Sequence, residues 1–171
     1  MKRFLTLVAV FAFAAMNNIT NAQELKFGHI DSNQLLQQMP ERTKAQAELE
    51  KYAKQLEDQM AAMQTEFETK YQQYMAQADS LPPVLREARE QELANIQQRF
   101  QTFQRTAQNE MATKEGALLQ PVIEKAKQAI DDVAAENGFI YIFDISSGTI
   151  LYQSEKSVDI LPLVLAKLGI Q

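Results

Sequence analysis

The chain has one histidine, His29, and no cysteine. His29 stands two residues before Asp31 in the run Lys26-Phe27-Gly28-His29-Ile30-Asp31, and a further carboxylate, Asp144, follows the strand-like Phe139-Ile140-Tyr141-Ile142-Phe143. A histidine near a carboxylate could ligate a metal or serve a nucleophile, and two carboxylates at strand ends could share acid–base work. Each chemistry lacks a part here. A histidine metal site or a serine–histidine arrangement needs further partners, and paired carboxylates need a cleft. The missing cysteines exclude disulfides, thiol catalysis and cysteine-bound zinc, and no metal site is expected. His29 therefore reads as a structural histidine, and Asp31 and Asp144 as capping and turn residues. The glycines 28, 116, 138, 148 and 169 are isolated from one another, so ATP-driven action has no phosphate-cradling loop. The expectation is a protein that is not an enzyme and needs no cofactor.

The chemistry that does stand out is apolar and soft. Met60, Met63, Phe67, Tyr71, Tyr74 and Met75 fall on one stretch, and Phe100 and Phe103 on another. One reading is that they only glue two helices together. That needs a narrow seam, and Tyr71, Met75 and Phe103 make the stripe wider than a seam requires. Flexible thioethers and aromatic rings suit contacts with varied partners, so these eight residues are the candidate binding surface.

The elements that must carry them are two helical arms. Ala53, Met60, Phe67, Tyr74 and Leu81 form one seven-residue ladder, and Leu49, Leu56 and Met63 a second. Their combined steps of three and four mark one stripe of a helix. Leu93, Ile96, Phe100, Phe103, Ala107 and Met111 repeat those steps on the way back. The second ladder would next require residue 70, which is Lys70 with Tyr71 beside it, so a local change of phase is expected there. The stretch 41–120 reads as a long antiparallel hairpin with its tip near residues 79–83, Asp79-Ser80-Leu81-Pro82-Pro83. An arm of roughly 40 residues at 1.5 Å each is about 60 Å long and must project. Gly116 and Pro121 interrupt the second arm's pattern, and a bend or hinge is expected between them.

The remaining stretches, 23–40 and 121–171, read as a small β-rich body. It takes a strand near Phe27, a short helix capped by Asp31 or Ser32, and the Phe139–Phe143 strand after an Asn137-Gly138 cap. Thr149-Ile150-Leu151-Tyr152 is expected to return as the second strand of a hairpin, followed by a last helix capped by Ser157 or Asp159 and ended by Gly169. The fold class is α+β, mainly α. So small a sheet buries little and leaves open edges, so the body is expected to associate with copies of itself.

Met1-Lys2-Arg3, the apolar run Phe4–Met16 and the small residues before Gln23 describe a secretory signal over residues 1–22, implying export to the periplasm and no membrane anchor once it is removed. The 171-residue chain carries a formal charge of −5, and losing a leader with Lys2, Arg3 and no acid makes it more negative. That balance argues against nucleic acid as a partner.

The order of parts resembles a known family. Lys26-Phe27-Gly28-His29-Ile30-Asp31-Ser32 leads into Leu35-Leu36 and Pro40-Glu41, a charged helical hairpin follows, and Val133-Ala134-Ala135-Glu136-Asn137-Gly138-Phe139 closes it. Phe143-Asp144, Leu151-Tyr152 and Val158-Asp159-Ile160 then precede a leucine-rich helix. This is similar to the Skp/OmpH family of periplasmic chaperones across essentially the whole mature chain. The resemblance implies a homotrimer in which three bodies share a small barrel and three arms surround a cavity. It also implies that unfolded outer-membrane proteins are held there without ATP. The best-known members are basic and this chain is acidic, so no lipopolysaccharide site is carried over. The rival reading is a structural coiled-coil adaptor or spacer of the cell envelope.

Overall fold

The computed structural model describes residues 25–170. The signal assigned to residues 1–22 lies outside them. In chain order the elements are β1 (Phe27–Ile30), α1 (Ser32–Gln38), α2 (Pro40–Gln77), α3 (Pro83–Glu136), β2 (Tyr141–Asp144), β3 (Val158–Asp159) and α4 (Leu161–Leu168).

The start of α1 is set by Asp31, whose carboxylate accepts the Gln34 N–H at 3.0 Å. Pro40 opens α2 at a position where its missing N–H is not needed. The two arms are 38 and 54 residues long, so α3 outruns α2 and continues into the body. The seam follows the periodicity. Ala53, Met60, Phe67, Tyr74, Leu81, Leu49, Leu56 and Met63 are all half-buried, and Ile96 and Ala107 on α3 are buried. Where a change of phase was expected, the stripe instead keeps its step. Lys70 takes the inward position and Tyr71 turns outward. A lysine can do this because its methylenes line the seam while its ammonium meets Glu92.

At the tip, the Ser80 hydroxyl donates to the Gln77 carbonyl at 2.9 Å, and the Arg86 guanidinium donates to the Ala78 carbonyl at 2.9 Å. These bonds satisfy carbonyls left open at the end of α2. Further down, α3 runs as one helix through Gly116 and Pro121. Pro121 has no N–H to donate, so the helix bond to Ala117 is missing there.

The body core gathers Ile30, Leu35, Met39, Val122, Ala126, Ala129, Val133, Ile160 and Val164. The last residues of α3 end in Asn137 and Gly138, with Gly138 at φ 69° and the Asn137 amide donating to the Val133 carbonyl at 2.8 Å. The turn requires a positive φ, which glycine adopts without steric cost.

The sheet corrects one expectation. The C-terminal hairpin is absent: Thr149–Tyr152 is not a strand, and the three strands run parallel in the order β2-β1-β3. β-Propensity alone did not decide the pairing. Ile160 is fully buried, and its N–H donates to the His29 carbonyl at 3.0 Å, which draws Val158–Asp159 alongside β1. Leu151 and Tyr152 stand 96% and 82% exposed and Ile150 36%, so this apolar run packs little against the described residues. Gly28 faces the core at the sheet centre, where a Cβ would stand 2.7 Å from Ile142 Cδ1.

Candidate functional site

The hairpin seam is not sealed. On one flank Met63, Phe67, Ile96 and Phe100 line an open groove of about 320 Å³, with Gln64 and Gln97 at its margin. On the other flank Met63 recurs with Phe103 in a wider groove of about 670 Å³, whose rim carries Gln59, Arg99, Thr102 and Thr106. Met63 therefore borders both. Apolar floors with amide and hydroxyl rims can take up aliphatic or aromatic side chains while leaving a bound backbone hydrogen-bonding partners.

The other expected residues fall into three positions. Tyr71 is 42% exposed and stacks on Phe67, with ring centroids 6.1 Å apart, which extends the first groove along the arm. Met75 lies one turn further, 53% exposed. Met60 stays half-buried in the seam, and Tyr74 is tied across it, its hydroxyl donating to Glu90 at 2.6 Å. That hydrogen bond to a carboxylate pushes the Tyr74 phenol above its usual range. Tyr74 thus serves the hairpin more than its surface, while Met63, Phe67, Phe100 and Phe103 are brought to the grooves. Ile96 was absent from the candidate set and forms the buried floor of the first groove. Its place in the returning steps of three and four was the available signal.

The residues that could have done chemistry are occupied otherwise. His29 Nδ1 lies 2.9 Å from the Ser157 hydroxyl and helps hold β3 beside β1. The Asp144 carboxylate accepts the Ser32 N–H at 3.2 Å, the Ser32 hydroxyl at 2.6 Å and the Ser146 N–H at 2.9 Å. Burial opposes its charge, but those donors outweigh burial and hold its pKa below the ordinary value. Among the described residues, no group of three or more histidine, cysteine, aspartate or glutamate side chains could hold a metal ion.

A second apolar surface lies on the body. Phe27, Tyr141 and Phe143 cluster on the outer face of the sheet, with ring centroids 6.1 to 6.4 Å apart, and all three are exposed. The sequence reading marked these strands as aromatic without placing the rings on one face. A third patch, Val84 and Leu85 just past the tip, is 76% and 52% exposed.

The sequence profile of the family described as outer membrane protein (OmpH-like) matches residues 26–168. The chain belongs to the OmpH-like family. This OmpH-like chain also superposes on the crystal structure of an OmpH-like protein from Caulobacter crescentus CB15, given in its description as a candidate outer membrane chaperone. The TM-score is 0.74 at 15% identity, covering 84% of this chain and 83% of that one, which establishes a shared fold. No curated protein sequence matched. Among the described residues of the OmpH-like chain, no helix is long and apolar enough to cross a membrane.

Proposed function

We propose that this OmpH-like chain is an ATP-independent periplasmic chaperone that holds unfolded outer-membrane proteins between its helical arms and prevents their aggregation. The observation that carries this reading is the pair of open apolar grooves flanking Met63, extended by exposed Tyr71 and Met75 on a projecting arm. Many weak contacts of this kind sum through multivalency, yet each breaks quickly. Release then needs no fuel, because a client that folds into the membrane withdraws its apolar surface.

The working unit in this reading is a homotrimer. The exposed Phe27, Tyr141 and Phe143 cluster and the largely exposed Ile150–Tyr152 stretch support self-association, since a body so small gains its missing burial from copies of itself. Residues 23–40 and 121–171 form the assembly body and 41–120 the arm, with the Gly116–Pro121 segment as the hinge. The missing helix bond at Pro121 lies next to buried Val122, where the arm meets the core. Export through the signal at residues 1–22 would deliver the protein to its clients.

The second reading is an adaptor that docks one defined envelope partner through its tip. The ordered turn and exposed Val84 and Leu85 favour it. Several unrelated outer-membrane proteins, diluted from urea and followed by light scattering, separate the two readings. A chaperone suppresses aggregation of all of them at about one trimer per client, whereas an adaptor protects none.

A further inference from the structure

Among the described residues, five side-chain to side-chain hydrogen bonds or ion pairs cross between α2 and α3: Glu41 with Lys125, Tyr52 with Glu110, Glu66 with Arg99, Lys70 with Glu92 and Tyr74 with Glu90. They are unevenly spaced. Among the described residues, none crosses between the Tyr52–Glu110 contact and the Glu66–Arg99 contact. In that interval the inward side chains are apolar: Leu56, Met60, Met63, Phe100 and Phe103 are half-buried and Ala107 is buried. Met63, inside that interval, borders an open groove on each flank.

We propose that Met63, with Met60 one turn before it, is a modification site at which a peroxide-class oxidant loosens the middle of the arm. The thioether sulfur attacks one peroxide oxygen. An S–O bond forms as the O–O bond breaks, and the second oxygen leaves as water after collecting the proton. Sulfur is oxidised by two electrons and the peroxide is reduced by two. The product is a polar sulfoxide against Ile96 and Phe100, where the flexible apolar thioether had been. Toward the tip, the Glu66–Arg99, Lys70–Glu92 and Tyr74–Glu90 contacts would hold the helices through such a change. Here no such bond remains. The three other methionines of the described residues provide internal references: Met39 is fully buried in the body, Met75 is exposed outside the seam, and Met111 is half-buried beside the Tyr52–Glu110 contact. The inference concerns the arm's own packing and stands whether or not the chaperone reading holds.

The test treats the intact mature protein with hydrogen peroxide, maps sulfoxides by peptide mass spectrometry and follows amide exchange. Sulfoxide is expected at Met60, Met63 and Met75, with Met39 spared. Exchange over residues 53–65 and 96–107 should accelerate at least about tenfold and return after treatment with methionine sulfoxide reductases. The Met60→Leu/Met63→Leu variant, a volume-conserving change, should keep its arm protection while Met75 still oxidises. Met63→Gln should show the faster exchange without oxidant. The proposal is overturned if Met60 and Met63 resist under conditions that convert Met75, if the double variant opens as wild type does, or if Met63→Gln leaves exchange unchanged.

Discussion

Lys70 of the outgoing arm meets Glu92 of the returning arm at the position where the apolar ladder calls for a hydrophobic side chain, and Arg89 joins the same carboxylate at 2.9 Å. Both partners are about one-third exposed, so the pair fixes register between the helices more than it adds stability. Replacing Lys70 with Met should restore the ladder and leave the melting temperature unchanged or slightly raised. Glu92→Gln, which leaves a lysine in the seam without its carboxylate, should lower it. Thermal circular dichroism of the two variants checks this.

The same contacts give the arm an acid sensitivity. The hydrogen bond from Lys70, then that from Arg89, holds Glu92 below the usual glutamate range, and Lys125 does so first for Glu41 at the base of the arm. A carboxylate with a lowered folded pKa stabilises the fold above its unfolded pKa, and loses that contribution as pH falls through the folded value. The melting temperature should therefore be flat near neutrality and fall once pH drops below the ordinary glutamate range. Glu41→Gln/Glu92→Gln should show a shallower fall over that acid window, measurable by melts between neutral and strongly acidic buffer.

Surface and core of the arm should separate in mutagenesis. Tyr71→Ser/Met75→Ser changes two exposed side chains, and stability should move by only about 0.5 kcal/mol for each, while protection of unfolded clients weakens. Ile96→Ala empties a buried position and should cost about 2–5 kcal/mol. Urea unfolding read beside the aggregation assay distinguishes the two outcomes.

Gly28 allows the body to close. A Cβ there would stand 3.1 Å from both Ile160 Cγ2 and Phe139 Cε1, as well as against Ile142. Gly28→Ala should destabilise the body by about 1–3 kcal/mol, with the Ile142 side chain giving way first. Denaturant titration of the mature protein measures it.

Local rules carried much of this architecture. Steps of three and four placed the arms because one helical face must find cover, and the prolines at 82 and 83 marked the turn because their rings end one helix and begin the next. Asp31, Gly138 and Gly169 were readable as caps because capping depends on the few residues beside it. The pairing of β3 was not readable. Thr149–Tyr152 is the better strand by composition, yet Val158–Asp159 pairs because Ile160 beyond it is held in a core assembled from distant segments. Lys70 misled for a related reason, since its inward place depends on Glu92 across the seam. The aromatic stripe was legible as a surface, but its division into two grooves on either side of Met63 required the returning helix in place.

The most direct test of the account is photo-crosslinking from inside a groove. A photoreactive residue at Gln97, beside Phe67 and Phe100, should capture several unrelated unfolded outer-membrane proteins, and capture should fade once they fold into vesicles. Equal capture from Lys51, an exposed position that lines neither groove, or no capture at Gln97 while aggregation is still suppressed, would contradict the assignment of the grooves as the holding surface.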